Sequence, residues 1–406
     1  MKKRIQIALT ALALVGAAVA QEAKVYREGE AWVEETTGSL PAQRNLKLIT
    51  NLGSVHIQGG TANNISYTVK KRVYSASKQE AQRVFDLIRV TASTQGDTVT
   101  LYGQGPRNYG RGRSYCADFD IHTPQALDLV NAHTGGGSLT VNSINGRVDA
   151  DTGGGNVSLD NIGGAIDASS GGGSVDVGTA GSEVKLETGG GKISLRSAKG
   201  AVHAHSGGGA IHVDSGSQSI YLNTGGGPIV VANCGGDLTA ETGGGNISAG
   251  TVGGSATLRT GGGPIKLSSA NGPVRARTSG GGVELYKLMS GAQIETAGGQ
   301  ITAEFIGQGV NFTDSRLETG AGDIRVYLPA DLPVTVQAAI DIASWQKIRS
   351  EFPELQISSE GPDFGPKETY CQGNLNGGGK VLHIHTSTGS IELLKRTVST
   401  SDRRPR

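Results

Sequence analysis

The chain has 406 residues, 65 of them glycine and 12 proline. Glycine is about 16% of the chain against an average near 7%, yet it does not recur every third residue and proline is scarce, which excludes collagen. The formal charge is +1 from 37 cations and 36 anions; taking away Lys2, Lys3 and Arg4 leaves 34 against 36, a balance that offers nothing to nucleic acid or an anionic membrane.

The first twenty residues read as a secretory signal peptide. Lys2, Lys3 and Arg4 form the charged start, Ile5 to Val15 is apolar apart from Gln6 and Thr10, and Ala18-Val19-Ala20 supplies small residues for cleavage before Gln21. The apolar run is too short to span a bilayer, and no later stretch approaches eighteen apolar residues, so no transmembrane segment is expected.

Residues 21–130 read as an N-terminal capping β region. Thr50-Asn-Leu-Gly-Ser-Val55-His-Ile57 has alternating apolar residues after a glycine turn. Ser77 with Glu80 forms a capping box ahead of Ala81, Val84, Phe85 and Ile88 at helical spacing, which predicts a helix near 78–90 packed over the N-terminal edge. The loop Arg107-Asn-Tyr-Gly-Arg-Gly-Arg113 reads as solvated rather than RNA-binding, because no stacking platform accompanies it.

Residues 131–304 are a regular array with a period of 18. With Thr134 as place 0, the same place falls at Thr152, Ser170, Thr188, Ser206, Thr224, Thr242, Thr260, Thr278 and Thr296, with no insertion. Places 5 and 7 are aliphatic and separated by polar residues (Leu139 and Val141, then Val157 and Leu159). Places 14 and 16 repeat the pattern (Val148 and Ala150, then Ile166 and Ala168). Each repeat is therefore two short strands and two turns. One such coil cannot bury its apolar face alone, whereas stacked coils can. The fold class is all-β: a parallel β-solenoid with 18-residue, two-strand coils, irregular capping flanks and one short helix. At about 4.8 Å per coil, ten coils make a rod of about 48 Å.

Places 2 and 3 are glycine in all ten copies. The place-2 row comprises Gly136, Gly154, Gly172, Gly190, Gly208, Gly226, Gly244, Gly262, Gly280 and Gly298, read as structural turn glycines. Both rows are expected to need φ > 0 or closest approach to the neighbouring corner. Gly226→Val should then harm stability far more than Thr239→Val on the outward wall. A calcium-binding roll would need an acid at place 6, where only Asp176 and Glu284 qualify, so no metal or other cofactor is expected.

Residues 305–396 read as irregular C-terminal coils and a cap. Thr319-Gly-Ala-Gly-Asp-Ile324-Arg-Val326 and Thr386 with Ile391 and Leu393 repeat the array's grammar, whereas 344–372, with Pro353, Pro362 and Pro366, reads as a long loop. The tail 397–406 reads as disordered. Of three cysteines, Cys234 takes place 10 as a small buried corner residue. Cys116 and Cys371 lie in the flanks and are the best pair for a disulfide in an oxidising compartment, with a bridge between two molecules as the alternative.

The secretion signal, the degenerate G-x-I-x-V strands, the T-G-G-G-x-I-x-L array and the closing Gly377-Gly-Gly-Lys-Val-Leu-His-Ile384 with Thr388-Gly-Ser-Ile391-Glu-Leu are together similar to the bacterial putative-adhesin family of β-strand-repeat envelope proteins, a domain of unknown function. The resemblance covers roughly residues 40–396 and implies an envelope or surface protein. It supplies no catalytic residues. The long unbroken array is this chain's departure from the pattern.

Little else carries chemistry. His203 and His205 fall at places 15 and 17 and should point outward, beside Lys185 and Glu187 on one side and Tyr221 and Asn223 on the other. A metal site drawn from the two histidines and Glu187 is a weaker reading than two solvated residues. The same outward wall begins with Asp149, Asp151 and Asp167 and ends with Arg259, Arg275 and Arg277, which is either drift on a solvated face or a graded strip for a ligand. The candidate ligand-facing wall is thus His203, His205, Tyr221, Arg259, Arg275 and Arg277. The expected function is a non-catalytic exported envelope or surface protein, adhesin-like or scaffold, located in the periplasm, on the cell surface or outside the cell. Its partner would be an envelope component, a surface protein or a glycan, not nucleic acid. The alternative is a polysaccharide-binding or polysaccharide-cleaving β-helix protein, although a strict 18-residue coil leaves no loop to wall a cleft.

Overall fold

The computed structural model describes residues 22–106, 115–307, 311–362 and 364–396. The expected signal peptide, the basic loop 107–113 and the tail 397–406 lie outside the described residues.

Each repeat forms two strands, as at Leu139–Ile144 and Arg147–Thr152, and each strand pairs in parallel with its copy 18 residues on. The first strands stack into one wall and the second strands into another, and each wall has 18 strands. Inward residues meet between the walls: Leu139, Val141, Ile144 and Val148 are fully buried, with Ala150 at 2% exposure. In the first wall places 8 and 9 both face out and place 10 turns back in. This is why the apolar spacing runs 5, 7, 10 rather than 5, 7, 9. Ser143, Asn161 and Lys287, all at place 9, adopt the left-handed conformation at that kink (φ 59°, 54° and 49°).

The place-0 residues do more than mark a corner. Their hydroxyls are buried and form a ladder: Thr152 Oγ1 donates to the carbonyl of Gly137 in the preceding coil at 2.8 Å and accepts from the amide of Gly155 in its own coil at 3.2 Å. The step recurs at Ser170, Thr188, Ser206 and onward to Thr296. A carbonyl and an amide at each tight corner, where no strand partner is in reach, are satisfied this way.

The glycine rows divide differently from the sequence-based expectation. Among the described residues the glycines with positive φ are Gly29, Gly96, Gly361, Gly365, Gly377 and Gly378, all outside the array. At place 2 a Cβ would meet open space: nothing lies within 4 Å of it at Gly136, Gly154, Gly172, Gly190, Gly208, Gly226, Gly244, Gly262 or Gly298, and at Gly280 the nearest atom is 3.6 Å away. The expectation of strain or crowding at these ten positions is therefore corrected. The close approach is at place 3, where a Cβ on Gly155 would run into the Gly137 carbonyl and sit 2.7 Å from the amide nitrogen of Ser138. Place 1 also faces a carbonyl of the preceding coil: a Cβ added at Gly320 would sit 2.6 Å from the Ala297 carbonyl oxygen.

Both ends of the rod leave chain order. The coil formed by Asn45–Thr50 and Val55–Gly60 lies against the array, through Thr50 beside Thr134. The chain then runs outward to make Thr98–Gln104 and Tyr115–Pro124 on its far side before returning to Leu129. At the other end the last coil, Lys380–Thr386 and Ile391–Lys395, inserts between the coil of Ser315–Thr319 and Ile324–Leu328 and the outer pair Val334–Ala343 and Ile348–Ser350. The hydroxyl ladder continues through these coils, from Thr134 to the Gly53 carbonyl at 2.7 Å and from Thr386 to that of Gly322 at 3.0 Å.

Helix Lys78–Leu87 has Ser77 as N-cap, its hydroxyl accepting from the amide of Glu80 at 3.4 Å, while Glu80 Oε2 accepts from Ser75 Oγ at 2.9 Å. Ala81, Val84 and Phe85 bury against strands Ala31–Pro41 and Asn64–Tyr74 at the N-terminal end. Beneath it Lys71 Nζ pairs with Glu34 at 2.6 Å and donates to the Phe85 carbonyl at 3.3 Å, with both side chains about nine-tenths buried. Residues 344–372 are not a loop throughout. Gln356–Glu360 and Lys367–Leu375 form a hairpin on Val334–Ala343, and the prolines fall between strands. The sheet edges are blunted by charge in Glu22–Glu28, by brevity in Ile348–Ser350, and by Pro362 after the exposed Gln356–Glu360.

Cys116 lies at the N-terminal end of the first wall and Cys371 in the C-terminal cap of the second. More than ten coils at about 4.8 Å each separate them, far beyond the ~7 Å that a disulfide spans. The expected pairing within one chain is therefore corrected: all three cysteines are free. Burial of Cys371 also removes it from reach of another molecule and pushes its thiol up to about 11. Cys234 is buried at its corner as expected, with Sγ 3.4–3.5 Å from the carbonyls of Gln218, Gly236 and Asp237.

Candidate functional site

The outer face of the second wall is set by places 15 and 17 of every coil, because the residues at 14, 16 and 0 turn inward. The parallel register puts Lys185, His203 and Tyr221 side by side in one row and Glu187, His205 and Asn223 in the other. The six sequence-chosen residues all stand on this face and are exposed. The structure does not bring them to one point. His203 and Tyr221 lie ring to ring at 6.1 Å near mid-rod, His205 Nδ1 is 3.1 Å from Asn223 Oδ1, and the three arginines lie two to four coils further on.

Glu187 pairs with Lys185 at 3.0 Å, and among the described residues no group of three or more His, Cys, Asp or Glu side chains converges as metal ligands would.

The arginine end is a shallow groove of about 550 Å³ lined by Arg259, Arg275, Arg277, Arg316, Glu295 and Glu318. Arg277 pairs with Glu295, Arg316 with Glu318 at 2.6 Å, and Arg259 approaches Glu241 at 3.9 Å. Arg275 stands between Thr257 and Gln293 and has no ion pair among the described residues. The hydrogen bond that Arg316 donates to the Glu318 carboxylate raises its guanidinium above its ordinary value, and burial, together with Arg316, lowers His383.

The acidic end is a second groove of about 420 Å³, lined by Lys47, Asn131, His133, Asp149, Asp151 and Asp167. Arg147 flanks it, pairing with Asp149 at 2.6 Å and Asp167 at 3.7 Å, and His133 pairs with Asp151 at 2.7 Å.

Sequence reasoning missed the extension of this wall beyond the array, where Lys47 continues it at one end and Arg316, Glu318, His383 and His385 at the other. The signal was present in the phase of Thr50, Thr319 and Thr386, each of which holds place 0. The opposite wall scatters its charges, with Asp160, Asp176, Arg196 and Asp214 among Ser, Thr, Asn and Gly, and a hollow of about 460 Å³ on it is lined by Ser248, Lys266, Glu284 and Gln300. Among the described residues no helix is long and apolar enough to cross a membrane.

No protein-family model matches the chain, and no curated protein does. Among solved structures it is similar to one described as a putative cell adhesion protein from Clostridium sporogenes, at 7% identity over 93% of this chain and 99% of that one, with a TM-score of 0.16. It is also similar to putative adhesins from Parabacteroides distasonis (11% identity) and Bacteroides fragilis (14% identity), each over 72% of this chain and 96% of that one, with a TM-score of 0.24. These descriptions fall in the class named by the motif resemblance; at such TM-scores they carry no argument about function, which rests on the wall itself.

Proposed function

We propose that the protein is an exported, non-catalytic envelope or surface protein of the adhesin-like or scaffold kind that binds its partner along the second wall. The observation that carries this reading is the wall's shape and charge. Two open grooves of opposite character lie on one face, joined by an aromatic and imidazole strip at mid-rod, while the opposite wall mixes single charges such as Asp176, Arg196 and Asp214 with Ser, Thr, Asn and Gly and does not sort them by sign along the rod. A repeated flat face with graded charge suits an extended ligand or a second protein surface, and its open grooves lack the enclosure that a small-molecule site uses. Export is supported by the leader-like pattern of the first twenty residues.

A polysaccharide is the second reading, favoured by the arginine groove, where Arg275, with no ion pair among the described residues, would meet an acidic sugar. The two are separated by measuring retention of the purified chain on envelope fractions and on acidic polysaccharides, with turnover of each polysaccharide followed in parallel. Retention without turnover supports the binding role; release of new reducing ends would replace it with a catalytic one.

A further inference from the structure

The two charged patches on the second wall are spaced for each other. Asp149 and Arg275 occupy the same row, as do Asp151 and Arg277, and each pair is separated by seven coils, about 34 Å. The midpoint of both separations falls between the coil of His203 and His205 and the coil of Tyr221 and Asn223. We infer that the partner of this wall is a second copy of the same chain, docked face to face and antiparallel about a two-fold axis that runs along the strands through that midpoint. The inference rests on the reading of the second wall as the binding face and names its occupant.

A rotation about an axis along the strands keeps place 15 over place 15 and reverses coil order. Asp149 then meets Arg275 of the partner subunit and Asp151 meets Arg277, both contacts occurring twice by symmetry. At the centre His203 meets the partner's Tyr221, and His205 meets the partner's Asn223. Further out His133 meets the partner's Glu295.

Two like-charge contacts fall in the same register, Glu187 with Glu241 and Lys47 with Arg316. Of these four, three already hold an opposite charge on their own wall: Glu187 with Lys185 at 3.0 Å, Glu241 with Arg259 at 3.9 Å, and Arg316 with Glu318 at 2.6 Å. Of the four complementary residues, Asp149, Asp151 and Arg277 also hold partners on their own wall, and Arg275 is the one with no ion pair among the described residues.

The area agrees. Five residues per strand span about 16 Å and the twelve overlapping coils about 58 Å, so each copy covers roughly 900 Å² and the pair about 1,800 Å², a standard size for a stable interface. An exposed tyrosine at the centre with charges toward the ends is the distribution such interfaces favour.

The test uses charge reversal, read by sedimentation of the purified chain at about 100 µM in low salt. The chain should sediment as a dimer that weakens as salt rises. Arg275→Glu with Arg277→Glu makes both patches negative, and Asp149→Arg with Asp151→Arg makes both positive; each variant should lose at least about tenfold in self-affinity. Mixing the two variants should restore a dimer, and so should placing all four substitutions in one chain. Asp151, Arg275 and Arg277 are exposed and Asp149 is half-buried, and an unchanged circular dichroism melt shows that loss of the dimer is not loss of fold. A monomeric parent chain, a dimer indifferent to reversal, or failure of the mixture to restore it would overturn the inference. If the chain is monomeric yet its retention on envelope material or acidic polysaccharide still depends on Arg275 and Arg277, self-docking falls and the reading of the wall stands. If that retention is also indifferent, both fall.

Discussion

Adjacent glycines in one corner should respond oppositely to the same added methyl group. At Gly226 a Cβ has nothing within 4 Å and φ is not positive, so Gly226→Ala loses no contact and only narrows the unfolded ensemble. That is worth a gain of about 0.4–1 kcal/mol. At Gly227 the same atom would fall 2.7 Å from the amide nitrogen of Ala210 and closer still to the Gly209 carbonyl. These are backbone atoms of the coil below and cannot swing aside, so the two coils must part by about 1 Å at that corner. The overpacking itself costs about 1–3 kcal/mol. The separation also stretches the bond from Thr224 Oγ1 to the Gly209 carbonyl, now 2.8 Å, and that from the Ile211 amide to the Pro228 carbonyl, now 3.0 Å. At about 1 kcal/mol net for each, Gly227→Ala should lose roughly 3–5 kcal/mol. Urea midpoints of the two single variants and the parent, compared at equal slope, measure the difference. Equal midpoints, or Gly226→Ala as the weaker protein, would refute the assignment of the steric row to place 3.

The hydroxyl ladder predicts that Thr242→Val, which keeps the shape but removes the bond to the buried Gly227 carbonyl at 2.8 Å, lowers stability by about 1–3 kcal/mol in the same assay, whereas Thr239→Val on the outer face stays within about 0.5 kcal/mol. Lys71→Met leaves Glu34 buried without its partner and should cost about 3–5 kcal/mol, and the double variant Lys71→Met with Glu34→Leu should recover most of it in a denaturation cycle. Under native conditions at pH 8, timed alkylation read by mass spectrometry should label Cys116 first and leave Cys371 unreacted, because burial pushes that thiol up to about 11 and thiolate is the reactive form. Far-UV dichroism with and without a calcium chelator should overlay, since the place-6 row is built mainly from Ser, Thr, Lys, His and Val.

The two-walled coil was legible because its cause is local and repeated. Apolar residues at places 5, 7, 14 and 16 of an uninterrupted 18-residue period leave one way to bury both faces, and the observed register follows the period coil by coil. The outward wall was legible for the same reason, since Lys185, His203 and Tyr221 sit side by side where the period puts them. Repetition did not disclose stacking order at the ends. Thr319 and Thr386 carry the same grammar, but nothing local says that the final coil slides between two earlier ones. The glycines misled for a related reason. Ten glycines at place 2 look like a steric rule, yet the space around a corner is set by the coil below, and only the three-dimensional stack shows that place 3 faces it and place 2 does not. The threonine row had the opposite fault: it was visible as a row, but a hydroxyl bonded across two coils is indistinguishable in one dimension from one turned to solvent.

Binding by the second wall, and not the first, is tested most directly by reversing charge on each. Charge reversal of Arg259, Arg275 and Arg277 on the second wall should be set against reversal of Arg196 and Asp214 on the first, with both variants applied beside the parent to immobilised envelope fractions. Arg196 and Asp214 are as exposed as the three arginines, so both variants should fold alike. The second-wall variant should lose retention by about tenfold or more while the first-wall variant binds as the parent does. Equal retention of the two, or loss confined to the first-wall variant, would contradict the assignment of binding to the second wall.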